Sequence, residues 1–151
     1  MASVLPYLSL SVRLFVGGYF VYAAIPKIVE PLAFATSIGN YGLLPNGMIN
    51  AVALVLPWLE LLCALGLMIG WRIKLNAALC VVMLAVFTSA VAYAVILGLK
   101  IDCGCFGSSG GDEVGWLKVG KNTLMLIGLL LVYRYPTSPL AFDGRSKGAE
   151  G

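Results

Sequence analysis

Histidine is absent from the chain, and charged side chains are few. Because histidine is the most common general base near neutral pH and the most common metal ligand, its absence excludes a Ser-His-Asp or Cys-His catalytic apparatus within the chain. Only 11% of the 151 residues are charged, with ten basic and seven acidic side chains. No basic run indicates nucleic-acid binding, and the net charge is only +3.

Apolar residues take the place of the missing charges. They make up 60% of the chain, and the mean hydropathy is +0.95. A soluble domain is typically about 45–50% apolar and about 25% charged. Since a chain of this length cannot bury so much apolar surface in a core of its own, we expect one domain with lipid as its solvent.

Four apolar segments divide the chain, and each is near the ~20 residues that a helix needs to cross ~30 Å of hydrocarbon. They cover approximately residues 7–28, 48–70, 73–99 and 115–133. The sequence therefore predicts an all-α membrane protein, a four-helix transmembrane bundle over residues 1–142, with a flexible polar tail at residues 143–151. Arg13 interrupts the first segment and three more spans follow, so we expect a retained helix rather than a cleaved signal peptide.

The connectors between these segments differ in structure and charge. Residues 29–47 contain two prolines and glycine–asparagine turn signals, which predict an ordered loop or a short re-entrant piece. With four spans, both termini lie on one side of the membrane. That side carries five basic residues against four on the other, so both termini are expected in the cytoplasm and residues 100–114 outside it.

Arg13 and Glu60 fall inside the hydrocarbon region. An ionisable side chain at the bilayer centre costs roughly 2.5–3.5 kcal/mol on insertion scales, so two such residues are expected to pair. Their depths differ by only about 6 Å at 1.5 Å per residue. We therefore predict an Arg13–Glu60 ion pair, which either staples the bundle or forms a polar floor beneath a quinone or proton site.

Three lysines flank the outer ends of the spans. Lys27 either extends to the interface with its apolar stem in lipid or points into the mouth of the bundle. Lys118 and Lys121 are three residues apart, so they are expected to share one helix face and could line the same mouth. A cluster of ammonium groups there would favour thiolate at nearby cysteines.

Other residues of the spans have structural or ligand-facing interpretations. Pro57 is expected to kink the second span. Trp58 follows it and either packs in the core or forms a wall for a flat ligand. Cys63 and Cys80 lie at similar depths in the second and third spans, and we expect both to act as small buried hydrophobic side chains.

Cys103 and Cys105 are separated by one glycine in a polar, glycine-rich segment. Residues two apart can form a disulfide only as a strained ring, for which Gly104 supplies conformational freedom. Strained, exposed disulfides are the labile and catalytic ones, so thiol–disulfide exchange is the favoured interpretation. Binding of Cu(I) by two thiolates and a plain structural disulfide remain open, although a ring this small would add little stability.

Four short stretches occur in a specific order: RLFVGGYFVYAAIPKI in the first segment, YGLLP in the first connector, LPWLEL in the second segment and CGCFG before the fourth. In these stretches and their spacing, the chain resembles the MauE branch of the MauE/DoxX membrane proteins over approximately residues 10–134. The resemblance implies a four-helix bundle that acts in redox maturation beside a periplasmic thioredoxin-like partner. In methylamine utilisation, that pathway forms disulfides in the small subunit of methylamine dehydrogenase.

The resemblance also implies roles for particular residues. Cys103 and Cys105 would be the redox pair, and the family's inward polar positions would be Arg13, Lys27, Tyr41 and Glu60. DoxX-like relatives are linked to the oxidation of sulfur compounds with quinone, which implies a membrane quinone as a cofactor. The candidate quinone-binding residues are Arg13, Lys27, Tyr41, Trp58 and Glu60.

We therefore expect an integral protein of a bacterial or archaeal cytoplasmic membrane. The favoured function is thiol–disulfide exchange with a periplasmic thioredoxin-like protein or a disulfide-containing substrate protein, coupled to quinone. Such a protein would be a thiol-disulfide/quinone oxidoreductase whose partners are the lipid bilayer and that protein, with no nucleic acid. The alternatives are a non-enzymatic scaffold or assembly factor for a redox complex, and the handling of Cu(I) or a small solute.

Overall fold

The computed structural model describes residues 4–99 and 115–136, and all regular secondary structure in these residues is helical. Four of the helices are long and apolar enough to cross a membrane, which confirms the predicted all-α arrangement with four spans. The side of the membrane on which the termini lie stays a prediction. The helices are α1 (Leu5–Val29), α2 (Pro31–Asn40), α3 (Asn46–Ile69), α4 (Ile73–Ile96) and α5 (Trp116–Arg134).

The four long helices run antiparallel to their neighbours. The helix α1 packs mainly on α3, and α4 packs mainly on α5. One end of the bundle, here called the Lys27 end, holds the C-termini of α1 and α4 and the N-termini of α3 and α5. The opposite end, here called the Arg13 end, holds the tight turn between α3 and α4. Residues 100–114 therefore leave and rejoin the described bundle at the Lys27 end.

Glycines that adopt positive φ follow the C-termini of α3 and α4. Gly70, at φ 82°, ends α3, where its N–H and that of Trp71 each donate to the carbonyl of Gly66 at 3.0 Å. Gly98, at φ 68°, follows α4 in the same left-handed conformation. Glycine adopts this conformation without steric conflict, so it is the usual residue just past a helix C-terminus. The third span consequently ends at Ile96, three residues before the predicted boundary.

The first connector contains the ten-residue helix α2, which was predicted only as an ordered loop or re-entrant piece. Pro31 occupies its first turn, where a missing backbone N–H is tolerated and the fixed φ favours a helix. The helix ends at Asn40, shortly before Gly42 at φ 64°. It packs on α3 and buries Phe34 at the Lys27 end of the bundle.

The main core is formed by apolar side chains of α1, α3, α4 and α5. Gly17 allows α1 to approach α3 closely, because a Cβ atom there would collide with the Met68 side chain and lie 3.2 Å from the Ala64 carbonyl oxygen. Small residues at helix contacts are typical of membrane bundles, where close backbone approach provides the packing energy. Cys63 and Cys80 are buried in this core as free thiols, as expected of small apolar side chains.

Candidate functional site

Lys27 and Glu60 form an ion pair inside the bundle. The Lys27 Nζ atom lies 2.9 Å from Glu60 Oε2, and the two side chains are only 7% and 10% exposed. A buried charge is tolerated when it is paired and hydrogen-bonded, and each of these two side chains provides the other with that partner. The pair joins the last turns of α1 to the middle of α3.

The direction of helical side chains explains why these two residues meet. Each Cα–Cβ bond in a helix tilts toward that helix's N-terminus. Lys27 therefore reaches from the end of α1 back into the bundle, and Glu60 reaches toward the Lys27 end. Arg13 is directed away from Glu60 by the same rule. The predicted Arg13–Glu60 ion pair is wrong, because similar depth does not bring together side chains that point in opposite directions.

Arg13 instead binds the C-terminus of α3. Its Nε donates to the Leu67 carbonyl at 2.9 Å and its Nη2 donates to the Met68 carbonyl at 3.3 Å, and the side chain is fully buried. The last carbonyls of a helix have no partner within it, and a cation there also interacts favourably with the helix dipole. Arg13 therefore ties α1 to α3 at the end opposite to Lys27.

Two aromatic rings flank the Lys27 ammonium. Its Nζ lies 5.2 Å from the centroid of Phe34 in α2 and 6.0 Å from that of Phe87 in α4. Distances of about 6 Å or less permit a cation–π attraction, which strengthens where water is excluded. Of the two orientations considered for Lys27, the structure therefore shows the one that points into the bundle. Lys27 does not extend to the membrane interface.

A cavity of about 60 Å³ lies beside the ion pair, and here it is called the polar cavity. Asn122 of α5 lines it together with Lys27 and Glu60. Asn122 is only 3% exposed, and its Nδ2 has no hydrogen-bond partner in the described part of the chain. The other lining residues are Tyr19, Phe20, Ala23, Phe34, Leu56, Met83, Leu84 and Phe87.

Sequence reasoning did not select Asn122, although its spacing carried a signal. The buried positions of α5 form a single stripe with steps of four, three, four and three residues: Lys118, Asn122, Met125, Leu129 and Val132. Such a stripe lies on one face of a helix. An asparagine in line with three apolar core positions was therefore an identifiable inward polar residue.

An apolar groove of about 350 Å³ adjoins the polar cavity, and here it is called the α2 groove. It lies between α2, α3 and α4, and it shares four lining side chains with the polar cavity: Phe34, Leu56, Met83 and Phe87. Tyr41 also lines the groove and is buried, although it does not line the polar cavity. Burial raises the pKa of Tyr41 to about 12, because the phenolate would lose its hydration there.

Trp58 lies apart from the other candidates. It is 52% exposed and lines neither the polar cavity nor the α2 groove. Two residues correspond to about 200° around a helix, so an inward Glu60 places Trp58 on the opposite face. The expectation that Trp58 packs in the core is therefore wrong, because in lipid a large apolar side chain can face outward.

The remaining candidate residues also differ in their burial. Lys118 is buried while Lys121 is exposed, so the two lysines do not share an inward face. No group of three or more His, Cys, Asp or Glu side chains that could hold a metal occurs in the described residues. Cys103 and Cys105 lie outside the described residues. The structure thus unites Lys27 and Glu60, places Tyr41 in the adjoining groove, and separates Arg13 and Trp58 from them.

Comparison with known proteins gives one consistent result. The family model described as methylamine utilisation protein MauE matches residues 5–134. A methylamine utilization protein MauE from Methylorubrum extorquens is 36% identical over 138 residues, which cover 90% of this chain and 74% of that protein. Its namesakes from Paracoccus versutus and Paracoccus denitrificans are each 35% identical over 80% of this chain, which spans 65% of their length. No solved structure gave a significant match.

Proposed function

The chain belongs to the MauE family of methylamine utilisation proteins, and we propose that it is a membrane thiol–disulfide redox protein. Cys103 and Cys105 are the working pair, and they exchange electrons with a thioredoxin-like or disulfide-containing protein outside the cytoplasm. The exchange serves the maturation of a periplasmic dehydrogenase, in keeping with the role in methylamine utilisation that the relatives' names state.

The exchange is a pair of thiolate displacements. In the oxidising direction, a partner thiolate attacks one sulfur of the Cys103–Cys105 disulfide and forms a mixed disulfide, and the other sulfur leaves as a thiolate. The second partner thiol then attacks the mixed disulfide. The partner gains a disulfide, and Cys103 and Cys105 become thiols after taking up two electrons and two protons.

The reduced pair must lose two electrons before it can act again. A quinone dissolved in the bilayer would supply this chemistry when bound, because a quinone takes up two electrons and two protons to become a quinol. The residues available to hold such a group within the bundle are Lys27, Glu60 and Asn122. The donor groups of Lys27 and Asn122 suit a carbonyl oxygen, which accepts hydrogen bonds and cannot donate them.

The observation that carries the proposal is the point at which the cysteine segment joins the bundle. Residues 100–114 connect α4 to α5 at the Lys27 end. Lys118 and Asn122 occupy the first two turns of α5, directly after that segment, and both are buried. The segment that carries Cys103 and Cys105 therefore rejoins the described bundle within two turns of these buried polar groups.

A double Cys103→Ser, Cys105→Ser variant tests the proposal. We expect the dehydrogenase subunit matured by this system to lack its disulfides in cells that carry this variant. The matched control is Cys63→Ala, Cys80→Ala, which removes the two buried thiols and should leave maturation intact. Full maturation in the serine variant would overturn the proposal and favour a scaffold without redox function.

A further inference from the structure

The amide nitrogen of Asn122 has no hydrogen-bond partner among residues 4–99 and 115–136, which indicates that the polar cavity holds a hydrogen-bond acceptor. More than about nine in ten buried polar groups have a partner, so an amide nitrogen without one marks a site that water or a ligand completes. Asn122 is 3% exposed and lines the polar cavity. The ammonium of Lys27 lies on the same cavity and adds a positive charge to this set of donors.

The volume of the polar cavity limits what can enter it. A single water needs about 10–15 Å³ of such volume, so about 60 Å³ holds a few waters or one small polar group. A six-membered ring with substituents does not fit there. A ligand that uses Asn122 must therefore place only a carbonyl edge in the polar cavity and keep its ring outside.

The α2 groove provides the space for that ring. Its volume is about 350 Å³, and its lining is almost entirely apolar. Val82 and Val86 lie on its wall and are largely exposed, so the groove opens on the lipid-facing surface of α4. A molecule dissolved in the bilayer can enter from the side without crossing water. Phe34 and Phe87 line both spaces and offer flat faces on which a ring can pack.

We propose that the α2 groove binds the ring of a membrane-dissolved quinone, and that Asn122 Nδ2 donates a hydrogen bond to one of its carbonyl oxygens in the polar cavity. The choice of a quinone over other carbonyl-bearing lipids rests on the proposed redox function, which requires a two-electron carrier in the bilayer. The ion pair of Lys27 and Glu60 lies beside that carbonyl. Tyr41 also lines the α2 groove.

Binding measurements on purified protein in quinone-free lipid nanodiscs test this inference. The probe is a radiolabelled benzoquinone with a decyl chain, and its dissociation constant is measured by equilibrium partition. The variant Asn122→Leu keeps the size of the side chain and removes the donor, so we expect binding about tenfold weaker. The matched control Asn50→Leu makes the same change at an exposed position of α3 and should bind as the unaltered protein does.

A second pair of variants tests the α2 groove itself. Val86→Trp fills the groove from its lipid-facing wall and should abolish saturable binding. Val55→Trp places the same bulk on an exposed position of α3 outside the groove and should leave binding unchanged. Both substitutions face lipid, so neither is expected to disturb folding. The inference would be overturned if Asn122→Leu and Val86→Trp both bound the quinone as tightly as the unaltered protein does. It would also be overturned if the unaltered protein showed no saturable binding.

A competition arm separates quinone from lipid. A phospholipid with a ten-carbon chain should not displace the quinone, and displacement at equal concentration would make the groove a lipid site and overturn the inference. The Cys103→Ser, Cys105→Ser variant should bind the quinone as the unaltered protein does. A protein that binds the quinone but lacks thiol exchange would contradict only the dithiol proposal. A protein that exchanges thiols but does not bind the quinone would contradict only the present inference.

Discussion

The Lys27 Nζ and Glu60 Oε2 atoms lie 2.9 Å apart, although Lys27 is near the end of α1 and Glu60 is in the middle of the antiparallel helix α3. The contact is possible because each side chain leans toward the N-terminus of its own helix, and these directions converge for this pair. It places both charges beside Asn122 in the polar cavity, in the half of the bundle that is nearer to the junctions of α4 and α5 with residues 100–114.

The variant Glu60→Gln should be less stable by about 3–5 kcal/mol, because it leaves the Lys27 ammonium buried without its counter-charge. The double variant Lys27→Met, Glu60→Gln removes both charges and should recover most of that loss. The free energy of unfolding in detergent micelles measures both effects. Unaltered stability in Glu60→Gln would contradict the ion pair as the state of these residues.

The variant Arg13→Met should loosen the C-terminus of α3, because the carbonyls of Leu67 and Met68 lose their donor. Leaving buried hydrogen-bonding groups without partners costs roughly 1–3 kcal/mol. Hydrogen exchange should accelerate in the last turn of α3 and stay unchanged around Glu60. The control Arg72→Met alters an exposed arginine of the neighbouring turn and should have little effect.

The adjacent glycines Gly17 and Gly18 should respond oppositely to alanine. Gly17→Ala pushes α1 away from Met68 and Ala64 and should destabilise the bundle by about 1–3 kcal/mol. Gly18→Ala meets no atom within 4 Å, so it should stabilise α1 by roughly 0.5–1 kcal/mol through its better helix propensity. Thermal unfolding of the two single variants checks the sign of each change.

Tyr41 should make the stability fall at alkaline pH. Burial raises its pKa from 10.0 to about 12, so between these values the unfolded chain releases the phenol proton while the folded chain keeps it. The contribution of Tyr41 to stability is therefore fully present below pH 10 and is lost as the pH rises toward 12, by at most about 1.4 kcal/mol per pH unit. The difference between the unaltered protein and Tyr41→Phe isolates this contribution, and parallel pH profiles would contradict it.

The four spans could be predicted because the length of an apolar segment is set by the thickness of the bilayer. The helix α2 could not, because Pro31 and the turn residues near Asn40 are equally compatible with a loop. These residues define where a helix begins and ends, but the packing of Phe34 against the bundle decides that it forms.

The pairing of charges was harder to predict than the spans. The depth of a residue along the membrane normal can be counted from the sequence, and depth alone predicted Arg13 as the ion-pair partner of Glu60. The rotation of each helix about its axis and the direction of its side chains decide the actual partner, and segments that are apolar all round do not reveal that rotation. For the same reason, the outward orientation of Trp58 could not be predicted. The inward stripe of α5 that contains Asn122 could be recognised, because its apolar positions recur at helical spacing.

The redox state of Cys103 and Cys105 in intact cells tests the central claim most directly. In a Cys63→Ala, Cys80→Ala background these two are the chain's only cysteines, so a thiol-reactive mass tag that cannot cross membranes reports on them alone. We predict that both are labelled only after reduction, with a midpoint in thiol redox buffers typical of a labile disulfide. Labelling without prior reduction, or no labelling until the membrane is opened, would contradict an oxidised pair outside the cytoplasm.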